Sequence, residues 1–226
     1  MPIFDPKLFS IVLIGRQNPQ ILNHDFLIKN EVLPVKREPF KSLIKDSSQK
    51  KPPFTSYLST PVVTALDYKW ISIIVEENRF QIKDTKFKVP SKSPIITITK
   101  KYFGILLKYT PLQLGGINFG GQLRFLDMED ERIFDDRLGI DNKKFETSLR
   151  VNKVRYSNRI TFPWNNDQLE LRIDKPKKDL NTSDMNFNLE FDYEDIDSFI
   201  SKLDQADKIY KRFKEILNKL KVEIRQ

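Results

Sequence analysis

The chain reads as an α+β protein, a mainly antiparallel sheet covered by two helices and closed by a long C-terminal amphipathic helix. Three observations predict this. Leu169, Leu171 and Ile173, then Phe187, Leu189, Phe191 and Tyr193, alternate with Glu170, Arg172, Asn188 and Glu190, and one dry face beside one wet face is the antiparallel pattern. Leu203, Ala206, Tyr210, Phe213, Leu217 and Leu220 recur at spacings of three and four, which lines up one helix face. Strands followed by a helix occur twice, in residues 8–109 and 112–222. That order suggests a pseudo-duplicated fold, with a single irregular sheet as the alternative.

Residues 8–15 are short, apolar and β-branched, and Gly15 ends them as a buried strand. Asn18-Pro19 marks a turn, and Asn23 caps a helix of about two turns that Pro34 stops. Residues 34–61, with Pro34, Pro39, Pro52, Pro53 and Pro61, read as a long Pro/Lys-rich loop. Within it Phe40, Leu43 and Ile44 fall on one helical face behind Pro39. Val62–Tyr68, Ile71–Val75 and Arg79–Lys83 are strands; Glu76-Glu77-Asn78 joins the last two as a three-residue hairpin loop in which Asn78 is able to take a left-handed conformation. Ser93-Pro94 opens a helix along Ile95, Ile98, Tyr102, Ile105 and Tyr109, ended by Pro111.

The second half begins with an extended run over 114–125. An acidic loop follows with Asp127, Glu129, Asp130, Glu131, Asp135 and Asp136. Strands are expected at 147–156, 159–164, 168–174 and 186–193, and a single helix from Glu194 onward has acids at its start and Lys211, Arg212, Lys214, Lys219 and Lys221 at its end. The halves divide at 1–111 and 112–226, or form one continuous domain.

Composition narrows the chemistry. With no cysteine among 226 residues, disulfides, thiolate metal sites and cysteine nucleophiles are excluded. One histidine, His24, leaves no His pair for a metal, and a catalytic triad would have to pass through it alone. The apolar stretch 8–15 is too short for a membrane span and lacks a leader's cleavage site, so the expectation is a cytoplasmic protein without cofactors.

The net charge is +8, and it is uneven: residues 1–108 hold 18 Lys/Arg against 9 Asp/Glu, and residues 109–226 hold 21 against 22. Candidate polyanion contacts are Lys36, Arg37, Lys41 and Lys45 in the long loop, and Lys83, Lys86, Lys88, Lys92, Lys100 and Lys101 further on. Arg150, Lys153, Arg155 and Arg159 make a third cluster. Lysine outnumbers arginine, so a solubilising surface is the competing reading.

Gly115, Gly116, Gly120 and Gly121 lie in an alternating apolar run without a following Lys-Ser/Thr, which reads as a strand with bulges or close packing and not as a phosphate loop. Glu170 and Asp174, beside Lys175, could be drawn as a metal-binding carboxylate pair, but Arg172 stands between them. The functional expectation is a non-catalytic binding or assembly subunit with a protein partner. The alternatives are a sequence-tolerant nucleic-acid binder and a carboxylate- or metal-dependent enzyme.

Overall fold

A computed structural model of the chain describes residues 1–43, 55–106, 112–139, 147–148, 157–164, 167–174 and 181–225. Its centre is a pair of 13-residue strands, β1 (Ile3–Gly15) and β6 (Leu112–Arg124), which run antiparallel from Ile3 opposite Arg124 to Gly15 opposite Leu112. On one flank of β1 lies the meander β2 (Ser56–Ser59), β3 (Val63–Tyr68), β4 (Ile71–Glu76) and β5 (Arg79–Asp84). On the other flank, beyond β6, lie β9 (Thr182–Phe191), β8 (Asp167–Asp174) and β7 (Ser157–Trp164). A short β10 (Glu223–Ile224) pairs parallel with the start of β1, so the ten-stranded sheet runs unbroken through both halves.

Five α-helices are described: α1 (His24–Lys29), α2 (Ile95–Leu106), α3 (Met128–Arg137), α4 (Ile196–Asp204) and α5 (Ala206–Lys219). The sheet is thus covered by more than the two helices expected. On its dry face α1, α2, α4 and α5 pack together, because Phe26 meets Tyr102, Phe103 meets Phe80 and Phe199, and Phe213 meets Phe4, Phe119 and Phe187. Ring centroids of Phe187 and Phe213 are 4.7 Å apart, the range in which stacked rings add to their burial.

The opposite phase of the same strands is polar. One register row crosses nine strands as Ser56, Asp67, Ser72, Lys83, Ser10, Asn118, Asn188, Glu170 and Thr161. Alternation therefore sorts the sheet into an aromatic face and a hydrogen-bonding face.

Two glycines of β6, Gly115 and Gly121, are packing devices. A Cβ on Gly121 would lie 2.2 Å from the Asp5 carbonyl, and one on Gly115 would lie 2.6 Å from the Phe191 ring. A register shift between Pro6 and Leu8 lies opposite this stretch, as expected where the sheet must admit an extra residue.

Several expectations are corrected. The acidic run is helix α3, because Asp127 caps it through the Asp130 amide at 2.8 Å and three acids sit in its first turn, where the helix dipole favours them. The C-terminal helix breaks at Gln205: α4 packs near α2, whereas α5 crosses β1 and β6. The turn between β4 and β5 has two residues, since Glu76 pairs with Arg79. Asn78 is not left-handed; the Asn78 and Glu77 carbonyls accept from Gly15 and Gln17 amides, while Lys69 takes the positive φ of 57° one hairpin earlier.

The expected loop at 34–61 contains a 3-10 turn, Phe40–Leu43, and strand β2. Phe40 is buried 5.3 Å from the Tyr68 ring. The strand expected at 147–156 falls mostly outside the described residues, where only Thr147 and Ser148 are seen and are helical. No described helix is long and apolar enough to cross a membrane.

Candidate binding groove

In the segment leaving β5 the strict alternation stops: Thr85 and Lys86 both face solvent, Phe87 turns inward, Lys88 is exposed and Val89 is half-buried. Asp84 holds both ends of this segment. Its carboxylate accepts the Lys86 amide at 2.8 Å and the Ser93 hydroxyl at 2.5 Å. Asp84 is buried, and that burial pushes its pKa above the usual carboxylate value despite the two donors. The Ser91 amide donates to Asp207 at 3.0 Å, which ties the same segment to the first turn of α5.

Across from it, α5 presents Tyr210, Lys214 and Asn218 at four-residue intervals along one flank. The helix stops in a Schellman turn: Val222 N–H donates to the Leu217 carbonyl at 2.9 Å and Lys221 N–H to Asn218 at 3.0 Å, with Lys221 at φ 54° in the position glycine usually takes. The turn buries Val222 and delivers β10 to β1.

Between these walls lies a cavity of about 990 Å³. Lys86, Lys88, Lys92, Lys214, Lys221 and Arg225 line it, against two acids, Asp5 and Glu223. Its floor includes the edges of Phe87 and Tyr210, whose rings meet at 5.6 Å. Lys214 Nζ sits 5.3 Å from the Tyr210 centroid, and burial raises the Tyr210 phenol pKa. Asp5 is already bonded to Arg124 at 3.2 Å. Among the described residues none of the six cations forms an ion pair, so their fields add in a partly enclosed space. An anion with an apolar part fits these walls.

The structure divides the sequence-predicted cations. Lys86, Lys88 and Lys92 meet in the groove. Lys83 stands in the polar row of the sheet, Lys100 is paired with Asp204, and Lys101 donates to the Glu31 carbonyl at 2.8 Å. Lys36, Arg37 and Lys41 are exposed around the 3-10 turn and do not line the groove. Arg159 binds Glu170 at 2.5 Å on the β7–β8 ladder. Lys45, Arg150, Lys153 and Arg155 lie outside the described residues. The cations that sequence reasoning missed as site residues, Lys214, Lys221 and Arg225, belong to the half whose charge nearly cancels. The four-residue spacing of Tyr210, Lys214 and Asn218 was the available signal.

Other candidates have structural partners. His24 Nδ1 shares a hydrogen bond of 3.1 Å with the Tyr68 hydroxyl, and burial lowers its pKa against the pull of Asp25. Arg159 binds Glu170, and Arg172 binds Asp174 at 2.7 Å. Among the described residues no three His, Cys, Asp or Glu side chains group as a metal would require. No protein-family model matches the chain, and no curated protein matches it.

Proposed function

We propose that this chain is a non-catalytic binding or assembly subunit that takes an acidic protein segment into the groove between the Lys86–Lys92 segment and α5. The observation that carries the reading is the convergence of six cations from three stretches of chain on an aromatic floor. Five of the six are lysines, compact point charges that suit scattered carboxylates better than bidentate phosphate recognition. The outer sheet face gives nucleic acid little purchase, because Arg79, Lys83 and Arg172 stand there among Glu76, Glu170 and Glu190.

The test is fluorescence anisotropy with a labelled Glu/Phe-containing acidic peptide and a labelled oligothymidine. The expected result is saturable peptide binding that weakens with salt and drops about tenfold or more in Lys88→Glu/Lys214→Glu, a difference of ~1.4 kcal/mol or greater. Binding of the oligonucleotide alone, with affinity falling steeply as salt rises, would replace this reading with the nucleic-acid one. Binding of neither would remove both.

The matched order of elements also supports a duplicated origin: a 13-residue strand, a helix, an antiparallel meander and a closing helix occur in each half. A cytoplasmic location fits a protein of this composition and is part of the same proposal.

A further inference from the structure

The groove has an acidic counterpart on its own molecule. From Leu126 to Asp136 the chain carries Asp127, Glu129, Asp130, Glu131, Asp135 and Asp136 against the one cation Arg132. The same stretch exposes Leu126 at 69%, Met128 at 75% and Ile133 at 39%. With Met1 at 56%, these are four of the eight large apolar side chains exposed among the described residues. Helix α3 buries Phe134 and Asp135 and largely covers Asp130, while Asp127, Glu129 and Asp136 are exposed beside Leu126, Met128 and Ile133, so its solvent side is an acidic knob with exposed apolar side chains.

Knob and groove are neighbours. Met1 lines the groove, and its ammonium binds Asp130 of α3 at 3.1 Å. Arg137, the last residue of α3, donates to the Leu220 carbonyl at the end of α5 at 3.0 Å. An acidic apolar knob beside a basic groove with an aromatic floor is self-complementary. A two-fold axis between them would let each copy give its knob and receive its partner's, which is the requirement of an isologous dimer. Opposite charges would steer the encounter, while burial of Met128 and Leu126 against Phe87 and Tyr210 would hold it.

We infer that the acidic partner of the groove is a second copy of this chain, docked through α3. The inference rests on the groove reading above and adds the identity of the occupant.

Sedimentation velocity of the full chain tests it. At low salt and micromolar concentration the chain should be a dimer, and near 1 M salt, where the Debye length is ~3 Å, it should shift toward monomer. Met128→Asp and Lys88→Glu/Lys214→Glu should each be monomeric with unchanged circular dichroism, since all three side chains are exposed or half-exposed. Mixing the two variants should restore a dimer weaker than the unaltered one, because one of the two knob–groove contacts is then intact. An unaltered chain that stays monomeric at low salt overturns the inference, and so does a Met128→Asp variant that still dimerises. A monomer that nevertheless binds the acidic peptide leaves the groove reading standing, whereas a monomer that binds none removes both.

Discussion

The two faces of the sheet come from the same strands, one residue out of phase, and they do different work. On the dry face Phe9, Phe80, Phe119 and Phe187 are fully buried beneath α2, α4 and α5. On the outer face the row from Ser56 to Thr161 is polar at all nine strands, and Asn188 Oδ1 is buried with no partner among the described residues. The contrast teaches that stability resides beneath the helices. The six groove cations stand on neither face and gather beside β10, whereas Arg79, Lys83 and Arg172 stand on the outer one.

The largest effect should come from emptying the dry face. Phe213 contacts the rings of Phe4, Phe119 and Phe187, so Phe213→Ala should lower the unfolding free energy by about 3–5 kcal/mol. Asn188→Ala on the outer face should change it by less than ~1 kcal/mol, because the lost amide oxygen had no partner. Urea denaturation measures both, and comparable losses would break the comparison.

Two adjacent glycines sharpen it. Gly121→Ala places a methyl on the Asp5 carbonyl and should cost about 1–3 kcal/mol. At Gly120 the nearest atom, Asn186 Oδ1, would be 3.4 Å away, so Gly120→Ala should cost less than ~1 kcal/mol on the same assay.

Asp84 adds a pH dependence at the margin of the dry face. Its folded pKa is raised by burial, so the folded chain holds that proton to higher pH than the unfolded chain. Its contribution to stability is therefore greatest below the unfolded carboxylate pKa and is lost as pH rises through the folded pKa. Asp84→Asn should flatten the fall in urea midpoint across that window, and parallel profiles for the two proteins would refute the assignment.

The smallest effects belong to the groove. Lys88→Ala should shift stability by no more than about 0.5 kcal/mol. Lys221→Gly relieves a left-handed residue costing ~1–2 kcal/mol but loosens the unfolded chain, so a net gain below about 1 kcal/mol is expected. Thermal unfolding reads both changes.

Much of the body was legible because its signals are local. Strands β3, β4, β5 and β8, helix α2 and the apolar stripe through Phe213 follow from periodicity and from Ser93-Pro94. Helix α3 was hidden because six acids look like a solvated loop unless Asp127 is read as a cap. Strand β2 was hidden among prolines, and the Glu77-Asn78 turn is shaped by bonds from the Gln17 and Gly15 amides that no local pattern announces. Of the groove only Lys86, Lys88 and Lys92 were visible as a charge run, and Lys100 and Lys101 looked identical to them.

What the amino-acid order determined by itself is the alternation that makes one face of each strand dry, the α2 start, and the absence of cysteine chemistry. Tertiary structure decided that β1 and β6 meet at the centre, that the last helix breaks at Gln205, and which lysines lack a carboxylate. The reason is range. Apolar periodicity acts between residues a few positions apart, whereas a charge's partner is chosen by whatever the fold brings beside it: Asp204 for Lys100, more than a hundred residues away, and for the six groove cations no ion pair among the described residues.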